Sequence, residues 1–98
     1  MGKRISSAQM RAARALLKWT ALDLAKASKV GVATIRRVEV IDGELPLTLP
    51  NEEAIRRAFG EAGIEIIDEN GSGEGVRFRK PRRKIRSSSN SQTQKGSL

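Results

Sequence analysis

The side chains that could do chemistry in this chain are its lysines and arginines, which number 19 against 11 aspartates and glutamates. The 98 residues include no histidine, cysteine or tyrosine, so the chain lacks the commonest general base, the thiolate nucleophile and the phenol acid. We expect no enzymatic activity, no metal site and no cofactor, and a disulfide is excluded. What remains is fixed positive charge, which binds polyanions.

The charges are segregated along the chain. Residues 1–37 contain nine basic residues and one acid, residues 38–75 contain two basic residues and ten acids, and residues 76–98 contain eight basic residues and no acid. The net charge of +8 therefore arises from a basic, an acidic and a second basic segment. This pattern predicts that the basic segments face a polyanion, and that the acidic segment, with exposed carboxylates, faces solvent or a protein partner.

Two short helices joined by a tight turn are predicted within the first basic segment. Thr20 is a favoured N-cap for a helix over residues 21–27, and a second helix is expected over residues 32–38. Ala25 is small where the two helices would touch, and Val30 would fill the turn between them. Such a pair of helices is the unit that places its second helix in the major groove of DNA.

The second helix of this pair has one apolar and one open face. Ile35 and Val38, three residues apart, would anchor it from below. The remaining positions would be free to meet bases or phosphates. They are Val32, Ala33, Thr34, Arg36 and Arg37.

This segment resembles the helix-turn-helix of the Cro/C1-type (XRE, lambda-repressor-like) family of transcription regulators. The resemblance runs from about Met10 to Glu39. It is carried by Asp23-Leu24-Ala25, Val30, Thr34-Ile35 and Val38-Glu39. It implies a bacterial, cytoplasmic transcription regulator, such as a repressor, that binds a two-fold operator in double-stranded DNA as a homodimer. Its recognition helix would span about residues 32–39.

The resemblance also implies roles for individual residues. Val32, Ala33 and one of the two exposed arginines would contact base edges, the apolar pair on thymine methyl groups and the arginine on a guanine. The other arginine and Lys29 would contact phosphates. Thr20 and the amide ends of the two helices would hold phosphates as well.

Three positions depart from the family pattern. Ala21 stands where the family often has Gln, Lys29 where it commonly has Gly, and Gly31 where it favours Ser or Thr. Lys29 must therefore adopt a positive φ angle or shift the turn. Gly31 must begin the second helix without a side-chain oxygen.

Two further helices and a hairpin complete the predicted fold. A capping box formed by Ser6 and Gln9 begins a first helix, and a fourth helix is expected to begin at Asn51. Strands over residues 64–68 and 76–79 enclose a glycine-rich turn and so predict a β-hairpin. This stretch is similar to a hairpin that follows the fourth helix in short proteobacterial members of the family.

The predicted fold class is mainly α. A four-helix, lambda-repressor-like helix-turn-helix domain spans residues 1–63, a β-hairpin spans residues 64–79, and a disordered basic tail spans residues 80–98. No apolar run approaches the roughly 20 residues that cross a bilayer, so we expect a cytoplasmic protein.

Alternatives stay open for the hairpin and the tail. The hairpin either packs on the first and fourth helices of one subunit or, with a strand or the fourth helix, forms a two-fold interface. The basic residues of the tail, among them Arg82, Arg83 and Lys84, either follow DNA phosphates or enter a minor groove beside the operator, or they are merely solvated.

Two other functions are also considered. An antitoxin-type or accessory protein would use the same fold to bind a protein partner, such as an anti-regulator or a polymerase, through its acidic segment. RNA binding is disfavoured because Trp19, Phe59 and Phe78 are all expected in the core, where they would not stack on bases.

Overall fold

The structure, a computed structural model, describes residues 4–42 and 45–79 of the chain. This described part contains four helices followed by a two-stranded antiparallel sheet, which confirms a mainly helical fold with a hairpin. In chain order the elements are α1 (Ser7–Leu17), α2 (Ala21–Ser28), α3 (Val32–Glu39), α4 (Leu49–Glu61), β1 (Ile64–Ile67) and β2 (Gly75–Phe78). The predicted tail over residues 80–98 lies outside the described residues.

Capping boxes begin α1 and α2. The Ser6 hydroxyl accepts from the Gln9 amide at 3.1 Å, and the Gln9 side chain accepts from the Ser6 amide at 3.0 Å, as predicted. Thr20 and Asp23 make the same reciprocal pair at 3.0 and 2.8 Å. Each box satisfies amide donors that have no partner within the helix.

Helix α4 begins at Leu49, two residues before the predicted start at Asn51. Thr48 is the N-cap, and its hydroxyl accepts from the Asn51 amide at 3.2 Å. Pro50 lies in the first turn, where its missing N–H is not needed by the helix and its fixed φ angle suits helical geometry. The two prolines also predict an extended chain over residues 45–50, and this prediction is wrong at Leu49 and Pro50, which lie in α4.

Helices α1 and α2 both end at a lysine in the left-handed region. Lys18 has φ 58° and Lys29 has φ 68°. The Lys29 amide donates to the Ala25 carbonyl at 2.8 Å, which closes the last turn of α2. Of the two alternatives left open for Lys29, a positive φ or a shifted turn, the structure has the positive φ, so a lysine holds a conformation that glycine adopts more readily.

An apolar cluster joins the helices to the sheet. Its fully buried members include Met10, Leu24, Ile35, Ile55 and Phe59. The Trp19 ring stacks on Phe59 with a centroid distance of 6.0 Å. Leu17, seven residues after Met10 and so on the same side of α1, packs against the core, whereas its neighbour Leu16 is 39% exposed.

The hairpin packs on α1 through β2 and on α4 through β1. Its register pairs Ile64 with Phe78, Glu65 with Arg77, Ile66 with Val76 and Ile67 with Gly75. The Gln9 side-chain amide donates to the carbonyls of Ile67 and Gly75 at 2.9 and 3.1 Å, and so fastens the hairpin to α1. Phe78, expected in the core, is 56% exposed, because it lies at the open end of the short sheet.

Glu52 is buried, contrary to the expectation of exposed carboxylates in the acidic segment. It is 4% exposed and accepts hydrogen bonds from the Ile5 amide at 2.7 Å and from the Arg4 guanidinium. Arg4 also donates to the Leu47 carbonyl at 2.6 Å. A carboxylate on α4 therefore ties the first described residues to the segment that leads into that helix.

None of the helices within residues 4–42 and 45–79 has the length and apolar composition needed to cross a membrane.

Candidate nucleic-acid interface

The connection between α2 and α3 is a three-residue turn, Lys29, Val30 and Gly31. Val30 is 4% exposed, which confirms its predicted place in the turn, and its amide donates to the Ser28 hydroxyl at 3.2 Å. The Gly31 carbonyl accepts from the Ile35 amide at 3.1 Å and begins α3. Hydrogen bonds before and after the buried Val30 therefore fix the orientation of α3 relative to α2.

Helix α3 has two distinct faces. Ile35 and Val38 are fully buried, as their spacing predicts, and hold the helix against the core. Ala33, Arg36 and Arg37 lie exposed on the other side. Within the described residues the side chains of Arg36 and Arg37 form no ion pair or hydrogen bond, so both guanidinium groups keep all their donors.

The other predicted contact residues lie around this open face to different degrees. Val32 and Thr34 are half-buried, which leaves only part of each side chain accessible. Lys29 is exposed in the turn before α3, and Thr20 is exposed at the start of α2. Arg82, Arg83 and Lys84 fall outside the described residues.

The N-terminal ends of α2 and α3 differ in charge and in capping. At α2 the Thr20 amide donates a hydrogen bond to the Asp23 carboxylate, so a negative charge already lies where a phosphate was predicted to bind. At α3 no side chain from the described residues caps the first turn, because Gly31 has none to offer. The amides at the start of α3 therefore remain available to an anion.

A buried ion pair braces α3 from the opposite side. The Glu39 carboxylate, at the end of α3, receives the Arg14 Nε at 2.8 Å and an Arg14 terminal nitrogen at 2.7 Å. Arg14 also donates to the Trp19 carbonyl at 2.8 Å, and Arg11 donates to the Glu39 carbonyl. Two arginines of α1 thus hold the C-terminal end of α3 and the chain that leads into α2.

The hydrogen bond to Glu39 raises the pKa of the Arg14 guanidinium, against a smaller opposing effect of burial. The Arg14 guanidinium therefore stays charged at neutral pH. The contact between Arg14 and Glu39 is bidentate and charge-assisted, and such contacts are stronger and more directional than an ordinary hydrogen bond.

Sequence reasoning missed this brace. It counted Arg4, Arg11 and Arg14 among the cations that would face a polyanion, whereas each donates to protein groups. The available signal was weak: Arg11 and Arg14 are three residues apart, and so lie on one side of α1. Nothing local connects them to Glu39, which is 25 residues beyond Arg14.

Exposed cations lie around the first three helices, whereas most of the exposed acids lie further along the chain. Side chains exposed around α1, α2 and α3 include Lys18, Lys26, Lys29, Arg36 and Arg37. Exposed acids lie on α4 and in the hairpin loop, and include Glu53, Glu61, Glu69 and Glu74. Among the residues described, no cluster of His, Cys, Asp and Glu is arranged to hold a metal ion.

The surface around α3 therefore offers uncommitted positive charge, free helix amides and an exposed small residue. Compared with protein-family models and with curated proteins, the chain gives no match.

Proposed function

We propose that this chain is a sequence-specific DNA-binding transcription regulator with a lambda-repressor-like helix-turn-helix, and that α3 is its recognition helix. The observation that carries the proposal is the division of α3: Ile35 and Val38 are fully buried, whereas Arg36 and Arg37 are exposed and uncommitted. A helix anchored in this way presents a fixed row of side chains to the major groove.

The proposed contacts follow from exposure and chemistry. Ala33 and the accessible part of Val32 contact thymine methyl groups. One of the two arginines donates a bidentate pair of hydrogen bonds to O6 and N7 of a guanine. The second arginine, Lys29 and the open amides of α3 contact phosphates. Thr34 lies between these groups and donates its hydroxyl to the backbone of the DNA.

The end of α2 has a smaller role than the resemblance implied. The Asp23 carboxylate already accepts from the Thr20 amide, and its charge repels a phosphate. The Thr20 hydroxyl accepts from the Asp23 amide, which leaves its proton as the remaining donor. We assign Thr20 a phosphate contact through that single donor.

A regulator of this size reads a long site by using two copies. A symmetric operator with half-sites roughly 34 Å apart is matched by a two-fold dimer. We propose that this protein is a homodimer on DNA in the cytoplasm. The basic tail with Arg82, Arg83 and Lys84 would follow adjacent phosphates and increase affinity at low salt.

Footprinting on the DNA upstream of the gene tests the proposal. Purified protein should protect two symmetric half-sites about one helical turn apart. The variant in which both Arg36 and Arg37 become Ala should lose protection, and Arg57→Ala, which removes an exposed arginine from α4, should keep it. Unchanged protection by the double variant would show that α3 is not the recognition helix.

A truncation tests the tail separately. A chain ending at Pro81 should bind every DNA sequence more weakly, and the dependence of its affinity on salt should be flatter. An unchanged salt slope would remove the tail from the interface and leave the assignment of α3 intact.

The second candidate function is binding of a protein partner through the acidic surface. Glu69 and Glu74 are exposed in the hairpin loop, away from the cations of α2 and α3 in the chain. Co-purification of one partner protein that is lost when both residues become Gln, together with absence of DNA protection, would favour this function.

A further inference from the structure

The outer edge of β2 is unpaired. The Arg79 amide donates to the Gly63 carbonyl at 2.7 Å, which makes residues 63 and 79 a hydrogen-bonded pair of the antiparallel ladder. Such pairs alternate, so Arg77 also points its backbone groups at β1, while Val76 and Phe78 point theirs away from it. Over residues 4–42 and 45–79, no group bonds to the outward amides and carbonyls of these two residues.

Helix α1 leaves this edge open. The Gln9 amide reaches the carbonyls of both Ile67 and Gly75, which belong to a pair that faces inward between the two strands. Ile64, Ile66 and Val76 share one face of the sheet by the register, and all three pack in or against the core. Helix α1 therefore covers the face of the hairpin and not the side on which Val76 and Phe78 offer their backbone groups.

An exposed apolar side chain lies on the same edge strand. Phe78 is 56% exposed, and it lies on the sheet face that carries the buried Ile64 and the half-buried Val76. An isolated two-stranded sheet is of marginal stability, and a free edge with an apolar residue favours pairing with another strand.

We propose that β2 pairs antiparallel with β2 of a second copy of this chain, so that two hairpins form one four-stranded sheet. The proposal deepens the proposed function, which requires a two-fold dimer, and it names the interface. Helix α4 is not needed for the contact. A second copy is the fitting occupant because the edge complements itself in one register.

That register has its two-fold axis at Arg77. Val76 of each copy then lies opposite Phe78 of the other, and their outward backbone groups form the new hydrogen bonds. Each exposed Phe78 extends the apolar face beside Val76. The two Arg77 side chains meet at the axis, where each is already paired with Glu65 at 3.1 Å.

The neighbouring registers are less favourable. An axis at Val76 places Glu74 opposite Phe78, which sets a charged group against the exposed ring. An axis at Phe78 places Arg77 opposite Arg79 twice, and like charges directly opposite are destabilising. The axis at Arg77 brings only one such pair together, and each of its members is already bonded to Glu65. The edge strand is short, so we expect a weak dimer with a micromolar dissociation constant that DNA binding strengthens.

Single cysteines test the register, because the chain has no cysteine of its own. Arg77→Cys should form a disulfide-linked dimer on mild oxidation, since residues facing each other at the axis have Cα atoms about 4.5 Å apart. Val76→Cys and Phe78→Cys should form few disulfides. In this register the two copies of residue 76, and likewise those of residue 78, are about 7–8 Å apart. Glu65→Cys is the control that should form no disulfide, because β1 would be the outer strand of the four-stranded sheet in each copy.

Sedimentation of the uncrosslinked chain gives an independent measurement. Phe78→Asp should raise the dimer dissociation constant by about tenfold or more, because an exposed apolar anchor becomes a charge. Leu49→Asp is the matched control: Leu49 is 61% exposed, and it lies about 16 Å along α4 from Gly60, which Arg79 contacts. Circular dichroism checks that each variant keeps its helices.

The two proposals fail in different ways. The pairing of β2 is overturned if the native chain is monomeric up to millimolar concentration without DNA, or if Arg77→Cys does not link while Glu65→Cys does. Symmetric footprints from such a chain would keep the regulator and discard the interface. A dimer linked through residue 77 that protects no DNA would keep the interface and discard the regulator.

Discussion

The arginines on the two sides of α3 are used in opposite ways. Arg14 is 22% exposed at its side chain and is bonded to Glu39 and to the Trp19 carbonyl. Arg36 and Arg37, on the other side, are exposed and bonded to nothing among the described residues. The same residue type therefore fixes the helix on one side and remains available to a ligand on the other.

A net charge does not show which basic residues remain available to bind a ligand. A count treats each basic residue of the first segment as an equal contribution to polyanion binding. In the structure, a guanidinium already neutralised by a buried carboxylate contributes little to the surface potential, whereas an exposed one contributes fully. Changes to Arg14 should lower DNA binding by altering the position of α3. Changes to Arg36 or Arg37 should lower it by removing the contact with DNA itself.

The largest expected effect is on the buried pair. Glu39→Gln should lower the free energy of unfolding by about 2–3 kcal/mol, because it leaves the Arg14 charge without its partner in a water-poor site. That is a large share of the roughly 5–15 kcal/mol expected for a domain of this size. Urea denaturation measures it, and Glu53→Gln on the exposed side of α4 is the control. An equal, small change in both variants would mean that the brace does not stabilise the fold.

The next effect separates the two exposed arginines. Arg36→Ala and Arg37→Ala should leave unfolding unchanged within about 0.5 kcal/mol, since surface substitutions rarely exceed that. One variant should lose about 1–3 kcal/mol of discrimination at one base pair, and the other should bind all sequences more weakly with a salt slope reduced by about 1. Fluorescence anisotropy on the operator and on single-base variants over a salt series distinguishes them. Identical behaviour of the two would contradict a division between base and phosphate contacts.

Local features of the fold were predictable from the sequence because their causes are local. The capping box at Ser6 and the N-cap Thr20 follow from residues within a turn of each other. The burial of Val30 and Ile35 follows from helical spacing next to a tight turn.

Long-range polar contacts were not predictable. Glu52 bonds Arg4 across 48 residues, and Glu39 bonds Arg14 across 25. In the sequence both carboxylates look like ordinary solvated charges, and only the packing of the helices brings them to their partners. Phe78 illustrates the reverse error, since an aromatic residue in an alternating strand looks buried until the strand is seen to be an edge.

The third prediction compares two lysines that share a backbone conformation. Lys18→Gly and Lys29→Gly should each stabilise the fold by about 0.5–1 kcal/mol, because glycine relieves the strain of a positive φ. Thermal melts measure this gain. Only Lys29→Gly should also weaken DNA binding, by roughly the few-fold loss of one phosphate contact. If Lys18→Gly weakened binding equally, the phosphate contact would not be specific to the turn before α3.

The smallest effect concerns Arg77. It is exposed, like Arg36 and Arg37, but it forms an ion pair with Glu65, as Arg14 does with Glu39. Its hydrogen bonds and charge lower the pKa of Glu65. A carboxyl whose pKa is lower in the folded state stabilises the fold above its ordinary pKa and loses that contribution as the pH falls through the lowered value. Glu65→Gln should therefore melt slightly below the native chain at neutral pH, and the difference should vanish in acid. Melting curves between neutral pH and about pH 3 measure it, with Glu53→Gln as the control. A difference that persisted unchanged in acid would mean that Glu65 acts through packing, and Arg77 would then belong with the uncommitted arginines of α3.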